Sequence, residues 1–403
     1  MKKIFSILAL TLVALTASAK SDVFNLKDAT ATADKHGQVT FLVNGTSTET
    51  AAEGQTVTVS IAPDGGYIVT SVSNLCTTSW GGARAASMDM LNSVEMTKVN
   101  DNTYTFTMPR ADVDVTVVYD IQIPTPAEDP QDKKKEVTDV KMDMQPAGTP
   151  EHVGEITIIP VSITGIEVPA TAPQEIAIEV AASTQVGNNI FVVREIKADA
   201  FKTNDAGIKV TKVILPDTEE PLTVEAGAMK PNGQPIDVQT PLALLDDYAL
   251  MNTMKENYEA NKVTAKATAP ARFWTFSSGV DVVVPEGVTV YRAFNDNGNI
   301  RILPIDEANQ SKIIKANNGV LLSCNEMKGG KAYEFVANPS GPKSGTKPAT
   351  TDAKSYEGNS MVPVIESKNY ATGQYLILKN NEFHTISANG KVPACKAVFD
   401  KNK

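Results

Sequence analysis

Aromatic residues make up only 6% of the 403-residue chain, with 2 tryptophans, and cysteine and histidine occur 3 times each. Each shortage removes a class of protein. Three cysteines cannot build the disulfide framework of a small secreted domain. Cys324 and Cys395 share one region and could pair, but each also sits among apolar neighbours that suit a buried thiol. His36, His152 and His384 fall one to a region, and neither Cys-x-x-Cys nor His-x-x-x-His occurs, so no metal motif is present. Gly-x-Ser-x-Gly and the GxxxxGK[ST] phosphate loop are also missing. The formal charge is −10, and the one basic run, Lys133 to Lys135, is flanked by Asp129, Asp132, Glu136 and Asp139. Clustered cations of the kind that hold nucleic acid are therefore not expected.

Carboxylates are plentiful, so acid pairs need separate consideration as catalysts. Asp246-Asp247 are neighbours on an expected helix and point about 100° apart, Glu219-Glu220 precede Pro221 in a turn, and Asp112 and Asp114 are outward positions of one strand. All read as solvated charge. No catalytic residue, cofactor or metal is expected.

Long apolar runs are missing except at the start. Met1-Lys2-Lys3 precedes the apolar stretch Ile4 to Leu15, and Ala17-Ser18-Ala19 follows as a small-x-small site. This order is that of a secretory signal over residues 1–19, cleaved between Ala19 and Lys20 and too short to span a membrane. No cysteine follows to carry a lipid, so the expectation is a protein secreted or held at the cell surface, with no membrane span.

With 42% hydrophobic and 21% charged residues the chain has a globular composition, and its length allows roughly two to four domains. From 36 to 121 the period is two: Val57, Val59 and Ile61, then Tyr104, Phe106 and Met108, then Val113, Val115 and Val117 alternate with Thr, Ser and Asp. Asn44-Gly45, Glu53-Gly54 and Asp64-Gly65-Gly66 supply turns. The ordered blocks Gly54 to Val59, Pro63-Asp64-Gly65-Gly66-Tyr67 and Tyr104 to Val117 resemble the internalin-B-type repeat domain of bacterial surface proteins, which implies a small β-grasp-like or sandwich domain. The stretch Asn74 to Thr97 departs from that pattern. Its Trp80, between Ser79 and Gly81-Gly82, and Arg84 make a candidate ligand-contact loop; Trp80 folded back over the sheet is the other reading.

Residues 122–136, rich in proline and charge, read as a linker. Between 137 and 270, Val193-x-x-Ile196 with Ala200-Phe201 is echoed by Leu222-x-Val224 with Ala228-Met229, and Val210 to Pro216 lies between them. The pattern resembles the Bacteroides-surface-protein (BspA-like) class of leucine-rich repeats, which implies stacked units, each covering the next. Pro241 to Asn261 follows as an expected helix, 241–260, started by Thr240 and Pro241 with Leu244, Tyr248, Met251 and Tyr258 on one face. Too few repeats are present to stand alone, so the segment should lean on its neighbour.

From 271 to 403 short strands return, with turns at Pro285-Glu286-Gly287, Asp296-Asn297-Gly298 and Asn380-Asn381, and predict a β-sandwich or barrel-like domain. Its blocks Lys315 to Ser323 and Tyr375 to Ser387 are similar to the β domain often found after such repeats in secreted proteins. That family usually has glycine where Cys395 stands. The whole is expected to be a mainly β, multidomain, non-catalytic surface or adhesion-type protein that binds a protein or glycan. A carbohydrate-binding accessory role and a secreted hydrolase are the alternatives.

Overall fold

The computed structural model describes residues 22–77, 93–131, 136–205, 207–218, 220–305, 313–324, 330–337, 356, 358–386 and 390–403. The protein is mainly β, with 55% of residues in strands and 6% in helices. It divides into two compact units, residues 1–120 and 121–403. No helix among the described residues is long and apolar enough to cross a membrane.

Unit 1 is made of two sheets over one core. A five-stranded sheet runs in the spatial order Thr46–Ser47, Gly37–Val43, Thr56–Pro63, Thr103–Thr107, Thr97–Asn100. Facing it are Thr50–Ala52, Val23–Asp28, the Asp112 to Asp120 part of strand Asp112–Pro124, and Tyr67–Thr77. The period of two places Val57, Val59, Phe106, Val113 and Val115 in one cluster, while Thr56, Thr58, Thr105 and Thr107 face outward. Of the two architectures expected for this region, the sandwich is the one formed. At one edge the His36 ring stacks on Tyr67, with centroids 4.0 Å apart and planes 8° from parallel, and Tyr119 meets His36 edge-on. Burial, aided by the Asp64 charge, pushes the Tyr67 hydroxyl up to about 12, and burial holds His36 below the usual imidazole range against the pull of Asp64 and Asp34.

Unit 2 begins with a difference from the expected linker. Ile121 and Ile123 continue the alternation of the preceding strand and are buried, and their segment pairs with Lys141–Met144. Ala127–Glu128 pairs with Glu175–Glu179. The apolar period runs past Asp120, and this builds much of 121–131 into sheet edges. The lysines 133–135 lie outside the described residues.

Two parallel ladders follow. In the first, Ile156–Glu167, Asn189–Ile196 and Thr223–Val224 stack with Ile163, Ile196 and Val224 in register, each at most 4% exposed. In the second, Glu175–Glu179, Lys209–Ile214, Asp237–Pro241 and Val263–Thr268 align Ile178, Val213, Val238 and Val263 in a second buried column. Branched side chains stacked in register bury one another at every step, which parallel strands joined by crossovers require. Ala200-Phe201 and Ala228-Met229 plug the turns at matching positions and are all buried. On the outer side, Ser162 Oγ donates to Glu195 at 2.7 Å, and Lys197 sits 2.9 Å from Glu195 and 3.0 Å from Glu225. Hydrogen bonds from Lys197 and Ser162 lower the Glu195 carboxyl, while the Ala198 amide and Lys197 lower Glu225.

The single helix expected over 241–260 is broken. Thr240 and Pro241 finish a strand, and Thr240 Oγ donates to the Thr264 carbonyl. Leu242–Asp246 is a 3-10 turn, and the α-helices are Tyr248–Thr253 and Lys255–Glu259. Asp247, not Thr240, is the cap: its carboxylate accepts from the Leu250 amide at 3.0 Å. Met254, at φ −98° and ψ 21°, separates the two helices.

The second ladder does not end with the repeats. Val263–Thr268 pairs antiparallel with Ala332–Ala337, which in turn pairs with Val282–Val283, so residues from both sides of position 270 share one sheet. Two four-stranded antiparallel sheets complete the unit. One is ordered Phe273–Phe276, Val320–Cys324, Val288–Asp296, Asn299–Pro304, and the other Met361–Val364, Lys396–Asp400, Tyr375–Lys379, Glu382–Thr385. Phe276 stacks on Phe335 at 4.8 Å, joining the first of these to the ladder sheet. Gly319 lies so close to Val362, Pro363 and Ala397 that a Cβ would come within 3.0 Å of each, which explains a glycine at that place.

Candidate functional site

Ala19 and Lys20 at the expected cleavage site, and Trp80 and Arg84 in the expected contact loop, lie outside the described residues. One acid of each pair considered as catalytic has a structural partner. Asp247 caps a helix, Glu220 pairs with Arg194 at 3.2 Å, and Asp112 accepts the Asn25 amide at 2.6 Å. The histidines remain separate: His36 stacks on Tyr67, His152 meets Thr157 Oγ at 3.2 Å, and His384 lies 3.9 Å from Glu382. Among the described residues no group of three His, Cys, Asp or Glu is arranged to hold a metal.

A site is built instead where the parallel strands of unit 2 end. Lys209–Ile214 and Asp237–Pro241 stop side by side, with the Leu215 amide donating to the Gln239 carbonyl at 2.8 Å. Across from them runs the turn Pro393 to Lys396, and together they enclose a cleft of about 490 Å³. The turn is tied down at three points. Cys395 is 3% exposed and its thiol donates to the Leu242 carbonyl at 3.1 Å. Ser277, fully buried, donates through Oγ to the Lys396 carbonyl at 2.7 Å. The Ala394 amide donates to Ser367 Oγ at 3.3 Å.

Cys395 has φ 61°, the left-handed region that glycine adopts without penalty. The backbone there is the kind for which glycine is preferred, and the sulfur contact to Leu242 accompanies the exception. Cys324 directs its thiol to the Ala271 carbonyl at 3.8 Å, so the two cysteines have separate partners and are not joined in a disulfide.

The cleft presents apolar edges from Ile214, Pro241 and Pro393 beside the charges of Asp217, Lys266 and Lys396. Those three charges form no ion pair among the described residues. Mixed apolar surface with unspent charges of both signs is complementary to a polypeptide segment, and a wall fixed in advance lowers the ordering cost of binding. Sequence reasoning missed this cleft because its walls come from residues far apart in the chain. The proline before Cys395 and the end of the Val-Ile-Leu run at Leu215 were the only local signs.

Fold and cleft together define a mainly β protein of two units with a preformed surface groove. No protein-family model matches the chain, and no match was found among curated proteins or solved structures.

Proposed function

We propose that this chain is an exported, non-catalytic surface or adhesion-type protein that binds another macromolecule, a protein, through the groove of unit 2. The observation that carries the reading is the cleft, its turn held by Cys395, Ser277 and Ser367, in which Asp217, Lys266 and Lys396 form no ion pair among the described residues and lie beside apolar edges. The signal-like order of residues 1–19 supports export, and the resemblance to internalin-B-type and BspA-like repeats supports a surface role. A single sheet that runs from the parallel ladder into the strands after 271 gives the groove a stiff floor.

The test is cell fractionation with surface protease shaving, followed by capture from matrix proteins using the full chain and a Lys266→Glu, Lys396→Glu double variant. Surface exposure and a captured protein that the double variant loses are the expected results. A chain confined to the periplasm, or turnover of glycans or peptides by the purified protein, would sink the reading.

A further inference from the structure

Unit 1 carries a cleft of its own on the outward face of the five-stranded sheet. Thr97 pairs with Thr105, but residues 93–96 leave the ladder and stand beside it as a wall. Asn74 holds that wall with a reciprocal pair of hydrogen bonds: Nδ2 donates to the Val94 carbonyl and Oδ1 accepts the Val94 amide, both at 2.8 Å. Val94 and Met96, from the same segment, are partly buried and pack against the core of the unit. The floor is formed by Thr56, Thr105 and Thr107, with Thr56 directly across from Thr107. The enclosed space is about 530 Å³.

Its polar lining is uniform in kind. Thr56, Ser93, Thr97, Thr105 and Thr107 supply five hydroxyls and Glu95 one carboxylate, with no lysine or arginine among the lining residues. None of these six side chains has a hydrogen-bond partner among the described residues. The strands fix the hydroxyls on neighbouring rows about 4.8 Å apart, since the alternate residues Val57 and Phe106 are locked in the core.

We propose that this cleft binds a neutral glycan. A threonine or serine hydroxyl donates one hydrogen bond and accepts two, as a sugar hydroxyl does, and Glu95 can accept from two hydroxyls at once. A polyhydroxylated ligand therefore satisfies all six groups together. An apolar ligand would strand them at about 1–3 kcal/mol for each that becomes buried. An anionic ligand would meet Glu95 with no cation to offset it. The inference adds a ligand class to the proposed binding role and stands on unit 1 alone.

Isothermal titration of the purified full chain with cello-, xylo-, manno- and lacto-oligosaccharides tests it, with oligogalacturonate as the acidic comparison. A neutral oligosaccharide should bind. Thr105→Val and Thr107→Val should each weaken it about tenfold, with melting temperatures unchanged, and Thr103→Val, on the same strand outside the cleft, should bind as the parent does. The proposal is overturned if no neutral oligosaccharide binds at millimolar concentration, if oligogalacturonate binds more tightly, or if Thr103→Val loses as much as Thr105→Val. Protein capture through the groove of unit 2 is read separately with the Lys266→Glu, Lys396→Glu variant, so either result can fail without the other.

Discussion

The side-chain amide of Asn257 donates to the carbonyl oxygens of Met229 and Ile236, both at 2.8 Å, from a position 1% exposed. One residue of the second short helix thus closes the last turn of the parallel ladder. Both hydrogens of the NH₂ group are used, and the Met229 carbonyl also accepts the Ile236 amide at 3.2 Å. Asn257→Ala should lower the stability of unit 2 by about 1–3 kcal/mol, since the Ile236 carbonyl loses this donor while the Met229 carbonyl keeps the Ile236 amide. A melting curve of the full chain checks this, and an unchanged midpoint for the unit 2 transition would refute it.

The stacked column through Ile163, Ile196 and Val224 makes a second prediction. Ile196 is fully buried with a partner on each side, so Ile196→Ala leaves a cavity that two neighbours must line. The expected cost is about 2–5 kcal/mol, while Ile196→Val costs roughly 0.5–1.5 kcal/mol. Denaturant midpoints of the two variants against the parent give the comparison. Equal losses would show that the column is not close-packed.

At Cys395 the backbone sets the direction of change. Cys395→Val places a branched side chain at φ 61° and should destabilise by about 2 kcal/mol or more, with loss of the bond to Leu242. Cys395→Gly removes the strain as well as the sulfur contact and should cost much less. Thermal midpoints in this order, parent and glycine above valine, are the expected outcome; valine equal to glycine would contradict it.

His36 gives unit 1 a pH dependence. Its folded value is held below the unperturbed imidazole value of about 6.5, chiefly by burial, so the unfolded chain takes up its proton first as pH falls. The contribution is present in full above about 6.5 and is lost as pH drops through and below that value. The melting midpoint of unit 1 should therefore fall between pH 7 and pH 5. His36→Phe, which can keep the stack on Tyr67, should flatten that slope; a slope equal to that of the parent would assign the effect to other groups.

How far the sequence could be read differs by element. Alternation at Val57 to Ile61, Tyr104 to Met108 and Val113 to Val117 reports a buried face within a few residues of chain, and all three became strands with those residues inside. The same signal was present at Ile121 and Ile123 but was masked by the prolines that follow. The helix expected from Pro241 failed because a 4-3-7 spacing of apolar residues does not register the competing cap at Asp247 or the strand that claims Thr240 and Pro241.

The sequence by itself determined the mainly β character, the strand faces and most turns, because these depend on neighbours two to four residues apart. Only the tertiary structure decided the two clefts. The thiol of Cys395 meets Leu242 across 153 positions of chain, and the hydroxyls of Thr56, Thr97 and Thr107 converge through strand register. Register is an agreement between distant segments about which residues share a row, and no local pattern contains it.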